Sequence, residues 1–280
     1  MQTDQFIPNN KVSKKTILAI IGTGVMSFCG ILLETAMNVT FPTLMHVFGV
    51  SISAVQWITS GYLLVASLVM TLSSYMHKRF KLKQIFAWAV ILFFIGLFLC
   101  VSATNFPVLL IGRLISGVAT GMTTPLLFGI INHDIPLQKL GRYMAIGAII
   151  VSMASVGPTY GGIILYSLGW RAIFWIVLPI ALIATVIGLL NIEQTRPVEK
   201  PRLDLMGFVW LAGVFILISL AFNEAAVHGW GSLNFWILLL LGLVAGGLYV
   251  WHARHFAFPL INMARHFLDC PANCLDCYSD

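Results

Sequence analysis

Two charged residues stand inside long apolar stretches of this 280-residue sequence. A charge in such a stretch is rare and suggests a functional site. Glu34 follows the run from Ile17 to Leu33, which contains no charge, and Arg113 lies within the apolar run 107–131. A carboxylate in such a place binds and releases a proton or holds a cation, and a guanidinium holds an anion. We therefore treat Glu34 and Arg113 as candidates for a proton or substrate site.

Small and polar residues accompany Glu34 at helical spacing. Gly30 and Asn38 stand four residues before and after it, so the three residues share one face of a helix. Such a face suits the wall of a polar cavity. Asn38 therefore joins Glu34 and Arg113 as a candidate for proton or substrate coupling.

Glycines accompany Arg113 in the same way. Gly117 and Gly121 follow it at four-residue steps, and small residues let two membrane helices approach closely. A second glycine group occurs in the segment GPTYGG, where Gly157, Pro158, Gly161 and Gly162 combine close packing with a bend at proline. Taken alone, both groups are also explained by helix packing.

The elements that must position these residues are transmembrane helices. The sequence is 59% hydrophobic and 9% charged, whereas a soluble domain carries about 25% charged residues. About 20 apolar residues span a bilayer as a helix. We predict an all-α integral membrane protein with eight spans, near 17–40, 53–76, 84–103, 107–131, 142–166, 171–191, 205–224 and 234–252.

Basic residues predict the orientation of these spans. All of the 16 Lys and Arg residues except Arg113 and Arg171 lie in the two tails or in the even-numbered connections. Basic residues stay on the cytoplasmic side, so we expect both termini in the cytoplasm. The net charge of +6 follows from this topology and requires no nucleic-acid partner.

The depths of the two charges in the membrane are similar. If the first span ends near Phe41 and the fourth begins at Pro107, Glu34 and Arg113 both lie roughly 10 Å below the outer boundary. We expect both to face the bundle interior and to meet there. The alternative is an ion pair that does no more than orient two helices.

Seven segments, in this order, carry a resemblance to a known family. The chain resembles the major facilitator superfamily, in particular the fourteen-helix multidrug:proton antiporters of the EmrB/QacA type (DHA2), over roughly residues 17 to 263. In those proteins an aspartate usually stands where this chain has Glu34. The segments are LLETAMNVTFP (32–42), QWITSGYLL (56–64), GRLISGVATG (112–121), GPTYGG (157–162), WRAIFWIVLP (170–179), DLMGFVWL (204–211) and FPLIN (258–262).

The resemblance implies a domain plan and a function. It implies a secondary active transporter of the plasma membrane, not an enzyme, that exports small amphipathic drugs in exchange for protons and needs no cofactor. The expected plan is a cytoplasmic tail (1–16), a six-helix bundle built as a 3+3 inverted repeat (17–191), a cytoplasmic linker (192–204), two additional transmembrane helices (205–252) and a cytoplasmic tail (253–280).

The resemblance also implies roles for the candidate residues. Glu34 would be the protonation or cation-binding carboxylate, and Arg113 would tune proton coupling in the fourth helix. The glycines and the proline of the fifth helix, Gly157, Pro158, Gly161 and Gly162, would provide the bend and the close contact that alternating access needs.

The connection between the second and third spans departs from the family pattern. The family has a glycine, then an acidic residue, then basic residues, whereas this chain has Ser74 and Lys78 at the first two places. The basic residues, including Arg79 and Lys83, remain. The predicted orientation is therefore kept, and a gate formed through an acidic residue is not expected.

The last residues differ from the rest of the chain. Eight spans are fewer than the family's fourteen, and the composition changes after Met263, so we expect a truncated or frameshifted form that lacks the C-terminal half of the transporter. Cys270, Cys274 and Cys277 have the C-x3-C-x2-C spacing of an iron–sulfur site, but only three residues follow them, and we expect no metal. Cys29 and Cys100 are expected to pack as small apolar residues.

Three other functional interpretations remain open. The chain could be a non-transporting fragment of a broken transporter gene, or a lipid or nutrient carrier of the same superfamily. A membrane enzyme or receptor would need a catalytic cluster or a sizeable soluble domain. The sequence contains neither an H-E-x-x-H zinc motif nor a G-x-x-x-x-G-K-[ST] phosphate loop.

Overall fold

The structure is a computed structural model that describes residues 12–194 and 204–255. Predictions for the tail up to Lys11, for 195–203 and for the segment from Phe256 onward, which includes Cys270, Cys274 and Cys277, lie outside the described residues. Within the described ranges the regular elements are helices: α1 Lys14–Met37, α2 Phe41–Phe48, α3 Ile52–Arg79, α4 Leu82–Val101, α5 Phe106–Asp134, α6 Leu137–Ser152, α7 Gly157–Leu168, α8 Trp170–Asn191, α9 Leu205–His228 and α10 Leu233–His255.

These helices form eight candidate membrane spans in the described part of the chain, by length and apolar composition. Two spans consist of two helices joined by a short 3-10 turn. The first span joins α1 to α2 through Asn38–Thr40, and the fifth joins α6 to α7 through Met153–Val156. The prediction of an all-α membrane protein with eight spans is confirmed.

The first span ends later than we predicted. The apolar pattern placed its end near Phe41, but the helical path continues to Phe48. Pro42 does not end the span, because it lies in the first turn of α2, where its missing N–H is not needed. Gly49 ends α2 instead, with a left-handed φ of 63° that favours glycine.

Helix α3 also extends beyond its predicted end. It continues to Arg79, so Ser74, Lys78 and Arg79 are helical and the connection to α4 is only two residues long. Lys78 and Arg79 lie in the last turn of α3, where positive charge complements the helix dipole. Phe80 then packs edge-to-face on Trp88 of α4, with ring centroids 4.9 Å apart.

The chain divides into two compact units, of which residues 12–194 describe the first. Helix α1 packs against α5, α7 and α8 in this unit, and α5 packs between α3 and α4. Close approaches need glycine: a Cβ atom at Gly22 of α1 would come within 2.6 Å of the Gly188 nitrogen of α8. A Cβ atom at Gly96 of α4 would come within 2.7 Å of the Gly112 carbonyl oxygen of α5.

The second unit, described over 204–255, is the helical hairpin α9–α10. Asp204 caps α9, accepting a hydrogen bond from the Gly207 N–H at 2.8 Å. The same carboxylate oxygen lies 2.8 Å from Nε2 of His252 on α10. Asp204 is only 3% exposed, so the pair joins one end of the hairpin through a buried contact.

Candidate functional site

Arg113 occupies the second turn of α5, and the start of this helix is fixed locally. The Asn105 side chain caps α5 by accepting a hydrogen bond from the Val108 N–H at 3.2 Å, and Pro107 lies in the first turn. The Arg113 side chain is 1% exposed. Its Nε and Nη2 atoms are buried and have no hydrogen-bond partner within the part of the chain that the structure describes.

Tyr62 of α3 supports the Arg113 guanidinium. The Arg113 Cζ atom lies 4.3 Å from the centroid of the Tyr62 ring, and Tyr62 is itself 1% exposed. A cation above a desolvated aromatic ring gains about 2 kcal/mol. This contact offsets part of the cost of burying the arginine charge.

The hydroxyl of Tyr62 connects two further helices. It lies 3.0 Å from the Gly30 carbonyl oxygen of α1 and 2.7 Å from Thr120 Oγ1 of α5. One tyrosine therefore contacts α1, Thr120 and the guanidinium of Arg113. Tyr62 was not among the residues singled out from the sequence, because a tyrosine in an apolar run is ordinary. The sequence did hold one indication of its role: the segment QWITSGYLL places Tyr62 in a transmembrane span of the same bundle as Arg113.

Glu34 lies on α1, one turn after Gly30, and is half-buried. Its charge interacts electrostatically with that of Arg113. The two side chains do not form an ion pair within 4.0 Å among the described residues. The charges of Glu34 and Arg113 therefore interact without a direct ion pair among the described residues, and the roles of the two residues stay a prediction.

The residues on either side of Glu34 have different environments. Gly30 is buried directly against Thr120 of α5, where a Cβ atom would collide with the threonine hydroxyl and methyl groups. Asn38 is exposed in the 3-10 turn, and its Oδ1 accepts a hydrogen bond from Thr59 Oγ1 at 3.0 Å. The helix face that carries Gly30, Glu34 and Asn38 is therefore tightly packed at Gly30 and polar and open at Asn38.

The glycines that follow Arg113 pack against α3. A Cβ atom at Gly117 would come within 2.8 Å of the Tyr62 carbonyl oxygen, and one at Gly121 within 2.6 Å of the Ala66 carbonyl oxygen. This close packing brings the Tyr62 ring next to Arg113. Gly117 and Gly121, which the sequence indicated as packing residues, therefore also help to support Arg113.

The glycines of the fifth span pack on α1 next to Glu34. Gly157 lies against Thr35, and a Cβ atom at Gly161 would come within 2.7 Å of the Ala36 carbonyl oxygen. Gly162 is packed more loosely, since a Cβ atom there would lie 3.9 Å from Val39 Cγ1. The close contact with α1 is therefore made by Gly157 and Gly161.

Pro158 lies in the first turn of α7, immediately after the 3-10 turn Met153–Val156. The Thr35 hydroxyl lies 2.9 Å from the Ala154 carbonyl oxygen within that turn. The break in the fifth span is therefore joined directly to the residue that follows Glu34.

The basic connection lies apart from the site, at the far end of α3. Lys78 and Lys83 are exposed, and Tyr62 precedes Lys78 by a helical path of roughly 24 Å. Among the described residues no group of three or more His, Cys, Asp or Glu side chains has the arrangement of a metal site. Cys29 and Cys100 are buried free cysteines in the packed interior.

Sequence comparison finds relatives whose names refer to drug resistance. Lincomycin resistance protein LmrB of Listeria innocua is 34% identical over 248 residues, which are 88% of this chain and 53% of that protein. Drug efflux pump JefA of Mycobacterium tuberculosis is 26% identical over 255 residues, 88% of this chain and 49% of that protein. The chain spans about half the length of the curated relatives it matches.

Structure comparison finds transporters with the same fold. A peptide transporter POT structure (E310Q mutant, with sulfate) has a TM-score of 0.63 and 13% identity, covering 85% of this chain and 52% of that one. The human organic anion transporter MFSD10 has a TM-score of 0.58 and 14% identity, covering 86% of this chain and 73% of that one. At these identities the likeness concerns the fold alone.

The family is established by sequence as well as by fold. Residues 23–264 match the sequence profile of the Major Facilitator Superfamily, and this range includes Glu34, Arg113 and the glycines of the fifth span. This superfamily consists of membrane transporters and not of enzymes, and its members carry small molecules across a lipid bilayer. The chain belongs to the Major Facilitator Superfamily.

Proposed function

We propose that this chain supplies the N-terminal bundle and the following helix pair of a proton-coupled exporter of small amphipathic compounds. The further helices that the longer relatives contain would complete the transport pathway. The names of LmrB and JefA refer to lincomycin resistance and drug efflux, which supports export of drugs as the activity. The observation that carries the proposal is the half-buried Glu34 beside a buried arginine with two unpartnered donor groups.

The unpartnered donors of Arg113 indicate how a proton is exchanged. A buried guanidinium with open N–H groups favours a nearby anion, and Glu34 is the acid whose charge interacts with it here. When Glu34 is ionised, it attracts Arg113 or a cationic substrate. When Glu34 is protonated, that attraction is lost and Arg113 rests on the Tyr62 ring. Protons and substrate thereby compete for the same carboxylate.

The contact between the fifth span and α1 supports alternating access. Gly157 and Gly161 pack on Thr35 and Ala36, directly after Glu34, and the 3-10 turn and Pro158 form a break beside this contact. A shift of α7 at the break is transmitted to the part of α1 that carries the carboxylate. Transporters of this kind move one repeat against another around a central site.

Charge distribution supports cytoplasmic termini. The described basic residues at Lys14, Lys15 and Lys78 lie on one side of the predicted topology, as the positive-inside rule requires. Arg171 is the exception, and its position is explained locally. Its Nη2 donates to the Ala103 carbonyl oxygen at 2.7 Å, and its guanidinium stacks on Trp170.

An efflux assay in a full-length context tests the proposal. Residues 1–263 of this chain are fused to the remaining C-terminal part of Listeria innocua LmrB and produced in a drug-sensitive bacterium. We expect the fusion to raise resistance to lincomycin or to a lipophilic cation and to export it at the expense of a proton gradient. A fusion that drives uptake instead of efflux would favour a nutrient carrier.

Glu34→Gln in this fusion is the decisive variant. We expect it to abolish proton-driven efflux, since glutamine has nearly the same shape but does not exchange a proton. Glu193→Gln is the matched control, because Glu193 is exposed just after the sixth span and pairs, among the described residues, with the exposed Lys15. Efflux that survives Glu34→Gln at the rate of the control would refute the assignment.

A further inference from the structure

We propose that Tyr62 is the positioning residue for Arg113, a role that rests on the proposed function of the Glu34–Arg113 site. The ring of Tyr62 holds the guanidinium on the Glu34 side of α5, and its hydroxyl fixes the ring between α1 and α5. Tyr62 touches neither a proton nor a substrate in this account. It acts through Arg113.

Arg113 has few polar anchors in the described part of the chain. Its Nε and Nη2 atoms have no hydrogen-bond partner in the ranges 12–194 and 204–255, and no carboxylate there lies within ion-pair distance of it. The contact with the Tyr62 ring, at 4.3 Å from Cζ to the centroid, is the specific contact that the structure shows for the guanidinium, and we infer that it sets the position of this group. A flexible side chain with an aromatic support on one face retains its donor groups for an anion.

The Tyr62 ring has little freedom to move. Its hydroxyl is within hydrogen-bond distance of the Gly30 carbonyl oxygen and of Thr120 Oγ1. Gly117 packs beneath it, where a Cβ atom would come within 3.3 Å of the ring carbon Cδ2. Tyr62 is thus fixed at the hydroxyl end by two helices and along the ring by α5.

The support that Tyr62 gives to Arg113 is connected to Glu34 through α1. Gly30, whose carbonyl oxygen meets the Tyr62 hydroxyl, lies one helical turn before Glu34 on α1. The hydroxyl therefore sets the relation of α1 to the ring, and the ring sets the position of Arg113. Through these two contacts Tyr62 determines how the guanidinium faces the carboxylate.

Nuclear magnetic resonance of the purified chain in lipid nanodiscs tests the proposal. The chain is labelled with 15N-arginine, and the Arg113 Nε–H signal is assigned from its absence in Arg113→Lys. A proton above an aromatic ring experiences a ring-current shift, so we expect this signal, like that of Arg171 on Trp170, to lie upfield of the ordinary arginine position. An Arg113 signal at the ordinary arginine position in the unmodified chain would by itself overturn the proposal.

Two substitutions separate the ring from the hydroxyl. We expect Tyr62→Phe to keep an upfield shift of reduced size, because the ring remains but the hydroxyl no longer fixes it between α1 and α5, and Tyr62→Leu to abolish the shift. Tyr160→Leu is the matched control: Tyr160 also bonds a backbone carbonyl, that of Ile173 at 2.9 Å, but makes no contact with Arg113. Tyr62→Met replaces Tyr62→Leu if the leucine variant fails to fold. An unchanged shift in a folded variant without the ring overturns the proposal.

Efflux by the fusion with the C-terminal part of LmrB distinguishes this inference from the proposed function. We expect Tyr62→Leu to reduce efflux as strongly as Arg113→Gln, and Tyr62→Phe to reduce it less. A loss in Tyr160→Leu as large as that in Tyr62→Leu would indicate a general packing defect instead of the loss of the support for Arg113. If the Arg113 signal behaves as expected while Glu34→Gln leaves efflux intact, the positioning role stands and the proposed transport mechanism falls.

Discussion

Gly161 of α7 lies directly against Ala36 of α1, and a Cβ atom at Gly161 would come within 2.7 Å of the Ala36 carbonyl oxygen. Ala36 follows Glu34 by two residues. The fifth span and the candidate proton-binding segment are therefore in contact through backbone, without intervening side chains. In the proposed mechanism, a movement of α7 against α1 changes the environment of Glu34.

This contact predicts different effects for two neighbouring glycines. Gly161→Ala forces α7 away from α1, and overpacking of this kind costs about 1–3 kcal/mol. We expect a lower melting temperature of the purified chain and reduced efflux by the fusion protein. Gly162→Ala is the control, because its Cβ atom would find only Val39 Cγ1, at an ordinary 3.9 Å. Equal effects of the two substitutions would show that the α1–α7 contact is not specific.

The cap of α9 predicts a local loss of stability in the second unit. Asp204→Ala removes the hydrogen bond to the Gly207 N–H and the contact with His252, and loss of such a cap costs about 1–2 kcal/mol. We expect faster hydrogen exchange in the first turn of α9.

Asp204→Asn is the matched variant for this prediction, since its side-chain oxygen still caps the helix. We expect it to keep most of the protection of the Gly207 amide. Slow exchange that persists in Asp204→Ala would mean that the cap contributes little.

We expect the surface ion pair between Lys15 and Glu193 to contribute little to the stability of the chain. The two atoms Nζ and Oε1 lie 2.6 Å apart, but both side chains are more than half exposed, and water screens their attraction. We expect Glu193→Gln to leave the melting temperature of the chain unchanged within error. A clear drop would disqualify Glu193→Gln as the control for Glu34→Gln.

Much of the fold followed from the sequence because the bilayer imposes simple requirements. Apolar length predicted the eight spans, and the cost of a membrane charge singled out Glu34 and Arg113. The end of the first span was not predicted correctly, because the apolar pattern placed it near Phe41, whereas Pro42 lies in the first turn of α2 and the span continues to Phe48.

Two contacts, one in each unit, could not be predicted from single residues. Tyr62 is one aromatic among many in apolar helices, and only the packing of Gly117 against α3 brings its ring to Arg113. The contact of His252 with Asp204 depends on α10 returning its end to the start of α9, which nothing in the sequence shows. Both cases depend on how helices pair, which hydrophobic periodicity does not specify in a membrane.

The central claim is that Glu34 exchanges a proton beside Arg113, and infrared spectroscopy of the chain in lipid nanodiscs tests it most directly. The spectrum is recorded as a function of pH in the carboxyl stretching region, for the unmodified chain, Glu34→Gln and Glu193→Gln. The account predicts a reversible protonated-carboxyl band that disappears in Glu34→Gln and remains in Glu193→Gln. A titrating band that is identical in all three proteins would contradict it.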